Sequence, residues 1–97
     1  MSSSDEGRGM DLSYTERLTG DMGPHRWTVV ILPGSAEALG TGKPVRVAGT
    51  IDTHGFEATL LPLGEGRHML PLNAKLKKAV GKSPGDEVVV RLDRRLG

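Results

Sequence analysis

No cysteine occurs in the 97 residues. Disulfide staples and thiolate metal sites are therefore excluded, and the chain suits a reducing compartment, with the cytoplasm as the expected location. Aromatics are nearly as scarce: Tyr14, Trp27 and Phe56 are the full set. Any core must be aliphatic, built from Val, Leu, Ile and Ala. No apolar run approaches the roughly 18–20 residues needed to span a membrane. The amino end, Met1 to Gly9, is polar and lacks the apolar stretch of a secretion signal, so no membrane partner is expected. A chain of this length supports one domain with one modest core.

Net charge is also small, formally +1, but it is unevenly spread. Residues 1–26 carry Arg8, Arg17 and Arg26 against Asp5, Glu6, Asp11, Glu16 and Asp21, a balance of −2. Residues 75–95 carry Lys75, Lys77, Lys78, Lys82, Arg91, Arg94 and Arg95 against Asp86, Glu87 and Asp93, a balance of +4. The basic end permits an anionic partner, while the competing reading is the solvated face of an amphipathic helix.

What the chain does have is a pattern stated twice. Trp27 to Leu32 runs into Pro33, then a short Ala/Leu segment, Gly40, a Pro-containing turn and Val45-Arg46-Val47 on to Asp52. Arg67 to Leu70 runs into Pro71, then a Lys-rich segment, Gly81, Pro84-Gly85-Asp86 and Val88 to Asp93. A repeated strand–helix–strand unit predicts a mostly β, pseudo-two-fold small barrel of about six strands with one or two short capping helices. Residues 1–10 are expected to be a disordered tail and residues 11–97 a single barrel domain.

Local signals fill in the elements. Leu12, Tyr14, Glu16 and Leu18 alternate with polar residues as a first strand, and Thr19 to Pro24 reads as a loop. Arg26 to Leu32 is apolar on both faces, as in a central strand, so Trp27 is expected to be buried and Trp27→Ala to cost about 3–5 kcal/mol. Ser35 is the expected N-cap of a single helical turn ending at Gly40. Val45, Val47 and Ile51 form a half-buried strand in which Gly49 marks a bend or a close backbone approach. Asp52 to Gly55 reads as a hairpin loop, Phe56 to Leu61 as a strand stopped by Pro62, and Leu63 to Gly66 as a glycine turn. Asn73 caps a helix with Leu72, Leu76, Ala79 and Val80 on its apolar face, closed by Gly81. A final strand spans Glu87 to Leu92.

These residues carry a family resemblance. The path through Trp27, Leu32-Pro33, Val47-x-Gly49-Thr50-Ile51-Asp52, Leu60-x-Pro62-x-Gly64-x-Gly66-x-His68-x-Leu70 and Lys77-Lys78-x-x-Gly81-x-x-x-Gly85-Asp86-x-Val88 resembles a small bacterial and archaeal family of unknown function. The resemblance covers most of residues 12–93 and implies a double-split β-barrel. The segment Ala74–Val90 is also similar to the helix–Gly–Gly-Asp–strand segment of AbrB-type regulators and MazE-type antitoxins. Those proteins bind DNA and build the barrel from two chains. Here the repeat implies that one chain supplies both halves, so a monomer is expected, with a dimer as the alternative. Shared fold alone implies no function.

Catalytic and metal patterns are weak. His25, His54 and His68 show no helical i,i+4 spacing, so no metal site and no cofactor are expected. His68 reads as a partly exposed strand residue and His54 as a loop-tip residue. Gly40-Thr41-Gly42-Lys43 fails the phosphate-loop spacing, with Glu37 and Pro44 at the required Gly and Ser/Thr positions. No serine stands in a nucleophile elbow. Asp52 and Asp93 occupy equivalent places in the two copies, but strand-end Asp is common as a turn former, and Asp86 reads the same way. No catalytic residue is assigned.

Two function classes follow. The first is a non-catalytic binding module, for nucleic acid or protein, with Arg46, Arg67, Lys75, Lys77, Lys78, Lys82 and Arg91 as anion contacts, joined by Arg94 and Arg95. The second is a small-molecule or enzyme-accessory domain with a cleft at the barrel split, where Asp52 and His68 are the candidate ligand contacts.

Overall fold

The computed structural model describes residues 9–24 and 26–96; the expected disorder of residues 1–8, and His25, lie outside them. Six strands and two short helices follow in the order β1 (Gly9–Met22), β2 (Trp27–Leu32), α1 (Ser35–Leu39), β3 (Val45–Ile51), β4 (His54–Gly64), β5 (Arg67–Pro71), α2 (Ala74–Val80) and β6 (Glu87–Leu96). The strands close into a barrel with neighbours β1-β2-β5-β4-β3-β6, every pair antiparallel. The mostly β class, the strand count and the two short helices agree with the sequence reading. No helix among the described residues is long and apolar enough to cross a membrane.

Two long strands make closure possible. The first part of β1 pairs with β6 and its last part with β2. β4 does the same, pairing first with β3 and then with β5. Register shifts in β1, β3 and β4 bend the ladder at the corners, as bulges do in small barrels.

The interior is filled by the aliphatic residues that the composition demands. Leu18, Val30, Leu32, Val47, Ile51, Leu60, Leu70, Val88, Val90 and Leu92 form one cluster, joined by Leu39 from α1 and by Leu72 and Leu76 at α2. The helix α2 forms as read: Asn73 Oδ1 accepts from the Leu76 N–H at 2.7 Å, and Gly81 closes it in the left-handed conformation. Only Ala79 departs from the expected apolar face, being exposed.

Several boundaries differ from the sequence reading, each because strand pairing outweighs local composition. β1 begins at Gly9, opposite Arg94, two residues before the expected domain start. It also runs through the supposed loop to Met22, which pairs with Trp27. β4 continues past Pro62 to Gly64. Its partner β3 ends at Val45 opposite Leu60, so Pro62 sits where one side has no ladder to break. The hairpin loop shrinks to Asp52 and Thr53, because Ile51 already pairs with His54. β6 extends from Leu92 to Leu96 by pairing with β3.

Trp27 is a correction. It is 39% exposed, at the first position of β2 and on its outward row, while Thr28, Val30 and Leu32 face the core. The barrel interior is filled by branched aliphatics and leaves no place for an indole.

Gly49 is the close approach that its position foretold. A Cβ there would lie 1.9 Å from the Arg91 carbonyl oxygen of β6. The β3–β6 register shifts between Ala48 and Gly49, so the two backbones touch where the barrel closes. Gly49→Ala is expected to lose about 3 kcal/mol or more, because backbone must move to admit the methyl group. Trp27→Ala should lose less than Leu60→Ala, for which about 2–5 kcal/mol is expected. Urea unfolding of the three variants checks the order; a Gly49→Ala protein as stable as the parent would show that closure does not need the contact.

Candidate functional site

The chemistry-bearing residues fall into separate groups, and His68 heads the first. It is 0% exposed, as is Ser35, so the expectation of a partly exposed His68 is wrong. Its ring bonds to Ser35 Oγ through Nδ1 at 2.9 Å and to the Lys43 carbonyl through Nε2 at 2.9 Å. A carbonyl only accepts, so in the neutral ring Nε2 carries the proton and Nδ1 accepts from the Ser35 hydroxyl. Ser35 Oγ in turn accepts from the His68 backbone N–H at 2.7 Å.

Sequence reading gave Ser35 a different task. The N-cap of α1 is Gly34, in the left-handed conformation, and it makes no side-chain cap. Ser35, released from capping, faces the buried imidazole. The start of α1 is held instead by the Ala36 N–H donating to the Gly66 carbonyl at 3.0 Å. A hydroxyl within hydrogen-bond reach of an imidazole has the form of an activated nucleophile. Here both partners are enclosed, and each ring nitrogen is already engaged. The cluster ties α1, β5 and the segment before β3 to one another.

Asp52 belongs to a second network, at the β3–β4 hairpin. Asp52 and Thr53 both have positive φ, 49° and 73°, as a two-residue type I′ turn requires. Asp tolerates this conformation better than most residues. Its backbone N–H donates to the Val89 carbonyl at 2.9 Å, and its Oδ1 accepts from the Val89 N–H at 2.9 Å. Oδ2 meets Lys82 Nζ at 2.6 Å, and that ammonium also donates to the Glu87 carbonyl at 2.7 Å. The Lys82 contact, helped by the Val89 N–H, holds the Asp52 carboxyl below its ordinary range. Asp52 thus continues the β3–β6 ladder with its side chain.

The structure therefore does not join Asp52 and His68 into one ligand cleft. Asp52 borders an open depression of about 600 Å³ with Thr50, Thr53, Val89 and Arg91. Asp93, its counterpart in the second copy of the pattern, borders a different one with Phe56, Glu57 and Arg94. Asp86 has the turn role expected of it: its Oδ2 accepts from the Ser83 N–H at 2.9 Å. No group of three or more His, Cys, Asp or Glu side chains among the described residues could hold a metal ion.

The basic candidates also divide. Arg46 faces Glu57 at 4.0 Å, Arg67 faces Glu65 at 3.3 Å and Arg91 faces Asp11 at 3.5 Å. Lys82 is committed to Asp52, and Arg95 donates to the Leu39 carbonyl at 3.0 Å. Lys75, Lys77 and Lys78 on α2 are exposed, and Arg94 is exposed on β6. The positive balance of residues 75–95 is thus partly offset by Asp52 and Asp11, acids from distant parts of the chain.

Sequence reading missed a contrast between the outer surfaces. On β3, β6 and β1 the outward positions carry Arg46, Thr50, Arg91, Glu87, Asp11, Ser13, Thr15 and Arg17, with Val89, 42% exposed, among them. On β2, β5 and β4 they carry Ile31, Met69 and Leu61, which register places side by side, together with Trp27, Leu63 and Pro71, beside Arg67, Glu57 and Thr59; Val29, on the same row, is fully buried. Ile31, Met69, Leu61 and Leu63 are half-buried and lie outside the barrel core. On β2 the signal was present as a segment, Arg26 to Leu32, apolar on both faces, and it was read as burial.

The molecule is thus a small closed antiparallel barrel with a filled aliphatic interior, with His68, Ser35 and Asp52 tied into structural networks and a row of half-buried apolar residues outside β2, β5 and β4. Residues 15–92 match the family described as Domain of unknown function (DUF1905), and the chain belongs to that family. No curated protein matches the chain in sequence.

Two outcomes are expected. Ser35→Ala leaves the His68 Nδ1 and the His68 N–H without partners in a closed interior, and should cost about 1–3 kcal/mol by denaturant unfolding. The second concerns pH. Because the folded Asp52 carboxyl ionises more readily than the unfolded one, its contribution is fully present above the unfolded value of about 3.9 and is lost as pH falls through the lower folded value. Stability below about pH 4 should therefore fall less steeply in Lys82→Met than in the parent. Thermal melts from pH 7 to pH 2 check this, and parallel acid limbs would count against it.

Proposed function

We propose that this domain is a non-catalytic binding module that engages a protein partner through the outward face of β2, β5 and β4. The observation that carries the reading is the register row Ile31–Met69–Leu61 on the outside of a barrel whose other outer face is mainly polar and charged, with Val89 as its exposed apolar residue. Clustered outward apolar residues on a small domain are characteristic of interaction sites. A ligand cleft built on Asp52 and His68 has less behind it, because His68 is committed to Ser35 and the Lys43 carbonyl. Binding of an anionic partner, nucleic acid included, contracts to Lys75, Lys77 and Lys78 on α2 and Arg94 on β6.

We also read the barrel as the double-split type and the chain as a duplicated unit. Support comes from the ring of neighbours. Exchanging β1–β2–α1–β3 with β4–β5–α2–β6 leaves every pairing in place. Ile31 and Met69, which pair, each stand one residue before a Leu-Pro dipeptide. Kinship with AbrB-type and MazE-type DNA binders belongs to the same reading and is addressed by the duplex arm below.

Selection from a displayed peptide library, with a labelled random duplex titrated in parallel, tests the function. Peptides with apolar anchors should be enriched and should lose at least about tenfold in affinity against Met69→Glu. Failure to enrich such peptides, or equal binding to the variant, would count against the face. Duplex binding that disappears at high salt and in the Lys77→Ala/Lys78→Ala protein would transfer the function to α2.

A further inference from the structure

We propose that the groove between the free edge of β4 and the helix α2 binds an extended segment of a partner protein, which adds to β4 as a further strand. The site is separate from the outward face of β2, β5 and β4, and the inference does not rest on that face.

The edge is the first observation. β4 has β3 as its neighbour from His54 to Leu60 and gains β5 only from Leu61 onwards. The two-residue turn at Asp52 and Thr53 makes Ile51 and His54 a hydrogen-bonded pair, and such pairs recur at every second residue. Phe56, Ala58 and Leu60 therefore bond to β3 through their backbones. Gly55, Glu57 and Thr59 turn their N–H and C=O groups the other way, where no strand among the described residues pairs with them. A row of unpaired main-chain donors and acceptors is a template for another extended backbone. A helical partner, whose backbone bonds are internal, has nothing to offer it.

The opposite wall is the second. α2 packs against β4, and between them lies an open groove of about 230 Å³ lined in part by Phe56, Ala58, Leu76 and Ala79. Phe56 and Ala58 belong to the inward row, yet they are only half-buried, because no strand covers them on this side. Ala79, the one exposed residue on the face of α2 expected to be apolar, lines the same groove. In strand addition the main chain supplies affinity and pockets for alternate side chains supply selectivity. The corresponding edge of β1, along residues 12–17, lacks this apolar wall: the hollow beside it carries Glu16, Arg17, Arg67 and Glu87.

Charge defines the kind of segment. Lys75 lines the groove, is exposed and makes no ion pair among the described residues. The acid of the lining, Glu57, faces Arg46 at 4.0 Å. The segment that fits therefore carries apolar side chains at alternate positions, to meet Phe56, Ala58 and Ala79, and an acidic residue to meet Lys75.

Short linear peptides selected from a displayed library on the intact chain are the probes, and fluorescence anisotropy measures their binding. Methylating the amide nitrogens of a selected peptide one at a time should weaken binding at least about tenfold at alternate positions and leave the positions between them unchanged. Glu57→Pro should abolish binding, because it removes a free N–H and blocks the edge, while the ladder to β3 needs no donor at that residue. Ala79→Phe, an exposed change that fills the groove from the helix side, should do the same and is the deciding variant if Glu57→Pro does not fold. Lys75→Glu should lower affinity several-fold. No selected peptide, binding indifferent to both groove variants, or a methylation profile without alternation overturns the proposal. Binding lost in Met69→Glu alone overturns the groove and upholds the outward face, whereas binding lost in the groove variants alone upholds the groove. A concentration-dependent dimer, seen by sedimentation velocity and removed by Glu57→Pro, makes a second copy the occupant and overturns the partner segment.

Discussion

Six strands closed around an aliphatic filling leave no interior for a ligand. Closure demands that β3 and β6 meet at van der Waals distance and that β1 and β4 bend from one set of partners to the next. Gly49 meets the first demand, because any Cβ there would enter the Arg91 carbonyl. Bulges meet the second. Once the ring is closed, branched aliphatics occupy its whole interior, and whatever the protein recognises must lie outside it.

The polar residues follow from the same constraint. Strands that turn sharply at barrel corners leave backbone groups to be satisfied locally. Asp52 extends the β3–β6 ladder with a carboxylate and draws Lys82 across from the end of α2. His68 and Ser35 bridge the ends of β5 and α1 to the Lys43 carbonyl. Each combination resembles a functional motif in isolation: a carboxylate with a lysine, a serine with a histidine. In the fold each is engaged in joining one element to another. Titratable groups in such a small barrel are held by connectivity before they are available for chemistry.

The outer surface is where the constraint relaxes. On β2 both rows are largely apolar, and the outer row continues as Met69 of β5 and Leu61 and Leu63 of β4, beside Arg67, Glu57 and Thr59. Val29 on that outer row is fully buried, while Ile31, Met69, Leu61 and Leu63 are half-buried. The charged outer face of β3, β6 and β1 has its ion pairs closed within the chain, which lowers its capacity to attract an anionic partner.

Much of this was legible in the sequence. The missing cysteines and scarce aromatics required an aliphatic core, and the alternation of Val45, Val47 and Ile51 placed a strand correctly. Asn73, Leu76 and Gly81 defined α2, since capping and apolar spacing are local properties. Gly49 was legible as a close approach because a glycine on an inward row gives the core no side chain, and what it offers instead is room for another backbone. What local pattern did not hold was any quantity set by partners distant in the chain. The composition of residues 19–24 reads as loop, yet pairing with β2 draws it into β1. A tryptophan on an apolar strand reads as core, yet the ring leaves it outside. Whether Arg46, Arg67, Arg91 and Lys82 are free cations or paired ones depends on acids brought close only by folding. The sequence determined the class of fold and the content of its core; the tertiary structure decided which polar residues are consumed in joining the barrel and which apolar residues stay on its outside, because both depend on partners distant in the chain.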